Sequence, residues 1–244
     1  MNQIPELPDK KQLLQLIFDS LHLTLLHYGL WFHETEHQIG LDKAIEADFQ
    51  VWDQFLQTTL SRVTQTLNIS LVGDIPEPLY NLTEKQLNDL SLEMCKNWVA
   101  CDGIWFQTIE KNYDYEMFTT KRINDTNWVR FSRIEAGLIM KRLNLPPNGG
   151  LKALREALPH RQYSRICKFE LEELPDSLIL RINECRVQEA RKKRGLPDYN
   201  CKSSGVAEYS YFAHAIDPRI KLRCLVCPPD KHPQEYWCAW EFTI

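Results

Sequence analysis

The chain has 244 residues, 43% of them hydrophobic and 25% charged, with a formal net charge of −4 at neutral pH. This is the composition of a folded protein that can bury a core, in one large domain or two small ones, and it excludes a disordered chain. The charge gives no electrostatic reason to bind nucleic acid or an anionic membrane surface, so neither is expected as a partner.

Met1-Asn2-Gln3-Ile4-Pro5 lacks a charged segment followed by an apolar core, so no signal peptide is expected and the chain reads as cytoplasmic. The apolar stretch from Leu13 to Phe32 is interrupted by Asp19, Ser20, His22 and His27, which suits a buried helix better than a membrane span. Eight cysteines without a secretion signal point to free thiols or metal ligands rather than a disulfide framework.

The first 150 residues contain an internal repeat. Gly29-Leu30-Trp31-Phe32 recurs as Gly103-Ile104-Trp105-Phe106, each followed four residues after the Phe by Glu36 or Glu110. Trp52-x-x-Phe55 recurs as Trp128-x-x-Phe131. We read a duplicated helical unit, about 29–55 and 103–131, packed about a pseudo-twofold axis with Trp31 and Trp105 in equivalent buried positions. Each copy is a helix, a break near Gly40 or Asp114, and a second helix. Thr83 to Gln86 and Ser132 to Glu135 read as capping boxes, residues 74–78 as the loop between the copies, and Pro146 to Gly150 as the end of the helical region.

From about Tyr163 the pattern changes. Arg165–Leu171 and Leu178–Cys185 read as strands around a Pro175-Asp176 turn. Arg186–Arg194 reads as a short helix, its basic end before Gly195 being a termination signal. Cys201–Ile216 reads as a second helix stopped by Asp217-Pro218, and Arg219–Val226 and Tyr236–Thr243 as two more strands. The fold class is therefore α+β: a helical region over 1–150, then a β-β-α-α-β-β region over 151–244, either packed with the first as one domain or separate from it.

The strongest chemical signal is Cys224-Leu225-Val226-Cys227, with Cys238 on the closing strand and Cys201 at a helix start. Four thiolates suit tetrahedral zinc, with an iron–sulfur cluster as the alternative. The competing reading is of separate buried thiols, with Cys224 and Cys227 as a redox pair. The segment from Cys201 to Phe242 resembles the zinc-binding end of 4-vinyl-reductase-type domains, including the sensor domains of phenol-responsive bacterial activators. That resemblance implies a structural zinc and a small, often aromatic ligand; a cysteine, Cys224, stands where those sensors place a glutamate. The whole chain also resembles a family of bacterial cytosolic proteins of unknown function and, more faintly, the amino-thiazoline-carboxylate hydrolases.

His33-Glu34-Thr35-Glu36-His37 matches the H-E-x-x-H of zinc proteases. The second repeat has Gln107, Thr108 and Lys111 in place of His33, Glu34 and His37, so the same helix is made without ligands and no catalytic metal is expected there. Glu36, Glu110, Asp125 and Cys185 are the candidate catalytic residues, although carboxylates that merely cap or pair, and a buried structural cysteine, explain them as well. Asn124-Asp125-Thr126 is either polar pocket lining or a helix break. Trp31, Trp105 and Trp128 are the candidate ligand platform, or simply core. The functional expectation is a small-molecule-binding or sensing protein with structural zinc, with a small organic ligand and a second copy of the chain in a homodimer as the partners considered. The alternatives are a hydrolase of a small carbon–nitrogen or heterocyclic substrate, and an iron–sulfur redox protein.

Overall fold

A computed structural model describes residues 9–113 and 117–244. The chain divides into two compact units, one ending at Glu77 and one running from Pro78 to Ile244.

The first unit is a helical hairpin. Helix α1 (Lys10–Ile39) starts at Asp9, whose carboxylate takes the Gln12 amide hydrogen while the Gln12 side chain takes that of Asp9, a reciprocal cap. It ends at Gly40, whose φ of +92° only glycine adopts at little cost, and α2 (Leu41–Leu67) follows directly. The segment read as an inter-repeat loop contains a small antiparallel ladder, β1 (Leu71–Val72) with β2 (Ile75–Pro76), leading into the short α3 (Glu77–Tyr80). The expected burial of the Leu13–Phe32 stretch is not found. Helix α1 has no buried residue, and α2 buries only Ala44 and Thr64. Two helices offer one contact stripe each, too little to cover a helix that is apolar on every side.

The second unit opens with α4 (Glu84–Asn112), capped by Thr83 and Gln86 as the sequence predicts, and α5 (Met117–Leu143). The break foreseen at Asp114 lies outside the described residues. Ser132 to Glu135 does not start a helix; it lies mid-way along α5. Both residues are buried, and Glu135 is occupied by Arg161 and the Gln162 amide rather than by a cap. Helix α6 (Gly150–Ala157) and two 3-10 turns lead to β3 (Lys168–Glu173), β4 (Ser177–Glu184), α7 (Arg186–Lys193), α8 (Lys202–Ile216), β5 (Lys221–Val226) and β6 (Cys238–Thr243). The β-β-α-α-β-β order is the expected one, and the class is α+β.

The four strands form one antiparallel sheet in the order β3-β4-β6-β5. Leu178, Leu180 and Ile182 of β4 and Trp240 and Phe242 of β6 build one core with Phe212 and Ile216 of α8. Ala136 and Ile139 of α5 join that same core, so the α4–α5 hairpin belongs with the sheet rather than with the first hairpin. The Asp217-Pro218 stop after α8 is held by Asp217, which accepts from the Gly150 amide at 3.0 Å and from Arg219 Nη2 at 2.7 Å. Among the described residues no helix is long and apolar enough to cross a membrane.

Candidate functional site

Cys201 is the N-cap of α8, Cys224 lies on β5, Cys227 just beyond that strand, and Cys238 opens β6. Cys224 is paired in register with Trp240, and Cys238 is two residues from Trp240, so strand alternation puts both thiols on the same face. Cys201 and Cys227 sulfurs are 3.5 Å apart, and Cys227 also reaches Cys238. A tetrahedral zinc with bonds of about 2.3 Å holds its sulfurs about 3.8 Å apart, so the Cys201–Cys227 spacing suits shared ligation. The sulfurs nevertheless run as a chain through Cys227. Among the described residues, no group of three or more His, Cys, Asp or Glu side chains is set to hold a metal ion. The Cys201 thiol is held below its ordinary pKa by the hydrogen bond with Cys227, then by Gln188 and the charge of Lys121. Burial raises Cys224.

A second thiol pair lies nearby. Cys185, the N-cap of α7, has its sulfur 3.1 Å from the Tyr163 hydroxyl, and burial pushes its pKa to about 12. Burial also raises Cys167 to about 11. A thiol that stays protonated is a poor nucleophile, whatever the helix start contributes.

Two ion clusters fix α5 against the rest of the second unit. Buried Arg161 reaches Glu135 at 2.9 Å and Glu208 at 2.8 Å, its guanidinium 4.6 Å from the Phe212 ring centre. Lys121, almost as buried, has its ammonium 3.0 Å from Ser204 Oγ, 3.2 Å from Asp125 and 3.3 Å from the Tyr199 hydroxyl. Sequence patterning gave no sign of Arg161, Lys121, Ser204 or Glu208, because each is a single polar residue whose partner is distant in the chain.

Helices α4 and α5 enclose a groove of about 400 Å³. Trp98 stacks on Phe131 at 5.0 Å between ring centres and meets Trp128 edge-on, and Trp105 and Phe106 line the groove as well. Asp102, Thr120, Asn124 and Asn127 interrupt these apolar walls. Asn124 Nδ2 donates to Asp102 Oδ1 at 3.2 Å, and burial raises the Asp102 carboxyl above its ordinary pKa. The Thr120 hydroxyl is buried and has no hydrogen-bond partner among the described residues. Exposed Cys101 lies at the groove as well.

Of the expected platform, Trp105 and Trp128 line this groove, and Trp31 lines a groove in the first unit. Trp31 and Trp105 are not buried as expected; each is 66% exposed. Trp128 is buried. Asp125 points away from the groove to Lys121, Asn124 lines it, and all of Asn124-Asp125-Thr126 is helical. Glu36 and Glu110 are half-buried, and neither lines the groove of its own hairpin. His33 and His37 are exposed on α1, and Glu34 between them accepts from Gln38.

No curated protein and no solved structure matches the chain, and nothing supports the likeness to 4-vinyl-reductase domains. A family model matches residues 7–83 and 80–244, two matches that overlap at 80–83, just after the division between the two units. The chain belongs to that family, the family of unknown function DUF6125.

Proposed function

We propose that the protein binds a small organic molecule in the α4–α5 groove, on a scaffold whose C-terminal lobe is held by zinc. The observation that carries the first part is Thr120. A buried hydroxyl without a partner costs about 1–3 kcal/mol, and here it borders an aromatic groove of ligand size. Turning the Thr120 side chain towards a ligand seated there makes the hydrogen bond that the protein leaves unmade, beside the Asp102–Asn124 pair. A thermal-shift screen of small aromatic and heterocyclic acids and amines tests this, with Trp105→Ala as the control. Trp105 is mostly exposed, so its loss leaves the fold intact while removing one wall. The reading requires at least one compound that stabilises the parent and not the variant. Stabilisation equal in both would contradict it.

The zinc rests on Cys201 and Cys227 at a ligand-like separation, Cys238 beside them and Cys224 on the same sheet face. When bound, zinc supplies a cross-link between α8 and the β5–β6 hairpin; the thiols do no chemistry on a ligand. Metal analysis of anaerobically purified protein is expected to give one zinc per chain in a colourless protein. Iron with visible absorption would replace the zinc reading by the iron–sulfur one. Metal-free protein of unchanged stability would remove both.

A further inference from the structure

The α1–α2 hairpin carries a groove too, of about 820 Å³, and it matches the α4–α5 groove position by position. Helices α1 and α4 begin at Lys10 and Glu84, 74 residues apart; α2 and α5 begin at Leu41 and Met117 and end at Leu67 and Leu143, 76 apart. With those two offsets, eleven of the twelve residues lining the α4–α5 groove fall on residues lining the α1–α2 groove, Trp128 being the exception. Trp31 answers to Trp105, Phe32 to Phe106 and Phe55 to Phe131.

The polar pair corresponds as well, with its roles exchanged. Tyr28 on α1 donates from its hydroxyl to Asp48 Oδ1 on α2 at 2.8 Å. The equivalent positions are Asp102 on α4 and Asn124 on α5, where the donor sits on the second helix and the carboxylate on the first. Each hairpin thus keeps one carboxylate and one neutral donor between its helices, whichever helix supplies which. A pair required only for packing has no reason to preserve a carboxylate through such an exchange, since two neutral groups hydrogen-bond without the cost of desolvating a charge.

Resting on the small-molecule reading of the α4–α5 groove, we propose that the α1–α2 groove is a second version of the same site and that both take a small organic cation. No lysine or arginine lines either groove among the described residues; Lys121 acts on Asp102 from outside the α4–α5 groove, and His27 is the one basic side chain lining the α1–α2 groove, so a cationic ligand adds a positive charge within each groove. Burial raises both Asp48 and Asp102, the mark of carboxylates short of solvation. The tryptophan faces beside them attract a cation through their ring quadrupole and repel an anion. Thr120 stands where the first hairpin has Ala44, so the second site adds a hydroxyl that, once its side chain turns towards the groove, can accept from an N–H. A primary amine therefore favours the α4–α5 groove over the α1–α2 groove more than a quaternary ammonium does.

The test is calorimetric titration of the full chain with benzylamine, benzyltrimethylammonium and benzoate. The variants are Asp48→Asn, Asp102→Asn, Trp31→Ala and Trp105→Ala. Two sites per chain are expected for each cation and none for benzoate. Asp102→Asn and Trp105→Ala should each weaken one site at least tenfold and spare the other, with Asp48→Asn and Trp31→Ala doing the reverse. The tryptophan variants remove mostly exposed side chains, so they serve where an aspartate variant fails to fold. Binding of benzoate as strong as that of the amines overturns the cation while leaving the α4–α5 groove a ligand site. One site only, untouched by Asp48→Asn and Trp31→Ala, overturns the second site alone. Cation binding unchanged in every variant overturns the whole proposal.

Discussion

A Cβ on Gly205 would stand 2.5 Å from Cζ2 and 2.8 Å from Cη2 of Trp240, so α8 lies against β6 at a distance that only glycine permits. Trp240 is fully buried and donates from its indole nitrogen to Cys238, which ties this contact to the thiol cluster. Gly205→Ala must push the helix off the sheet or turn the indole out of its place. We expect a loss of about 1–3 kcal/mol in urea unfolding, despite alanine's better helix propensity. A more stable variant would show that the helix shifts freely over the sheet.

Arg161 is expected to be the costliest single polar substitution in the second unit. Arg161→Met leaves Glu135 and Glu208 buried without their cation, and breaking a buried ion cluster from one side costs about 3–5 kcal/mol. The triple variant with Glu135→Leu and Glu208→Leu should recover much of that loss, because no orphaned charge remains. If the triple variant is no more stable than the single one, packing around the guanidinium matters more than charge.

Asp217 ties acid stability to the turn after α8. Its hydrogen bonds with Arg219 hold its pKa at about 2, below the ordinary 3.8. The folded state therefore binds the proton more weakly than the unfolded chain does. The stabilisation is full above about pH 4 and is lost as pH falls towards 2. Melting temperatures from pH 5 to pH 2 should fall further for the parent than for Asp217→Asn. Parallel profiles would contradict the assignment.

The thiols should separate by reactivity. Cys101 is exposed, whereas Cys167 and Cys185 are held at about 11 and about 12 by burial. At pH 7.5, peptide mapping after brief alkylation should show Cys101 modified first and Cys185 last. Early modification of Cys185 would restore it as a candidate nucleophile.

Much of the fold was legible because it depends on local signals. Thr83 with Gln86, Gly40, Pro175-Asp176 and Asp217-Pro218 all mark element ends where the structure has them. Ser132 to Glu135 misled because a capping-box pattern says nothing about what reaches it from elsewhere, and Arg161 claims Glu135 from 26 residues away. The exposed first hairpin was equally hidden: an apolar helix reads as buried, whether or not the chain supplies enough surface to bury it. Two of the three tryptophans singled out in the sequence, Trp105 and Trp128, line the α4–α5 groove, and Trp31 lines the α1–α2 groove. Asn124 was legible as pocket lining, whereas Asp102 escaped notice because Tyr28, which holds the corresponding place in the first hairpin, differs in kind. Thr120 left no trace in sequence at all, since an unmatched hydroxyl exists only in three dimensions.

The most direct measurement of the binding claim is protection of Cys101. Its thiol borders the α4–α5 groove and is exposed, so a seated ligand must slow its alkylation. For a compound from the thermal-shift screen present at a hundred times its dissociation constant, occupancy adds about 2.7 kcal/mol of stability. The alkylation rate of Cys101 should then fall at least tenfold in the parent and much less in Trp105→Ala. A stabilising compound that leaves the Cys101 rate unchanged binds elsewhere, and would contradict the assignment of this groove.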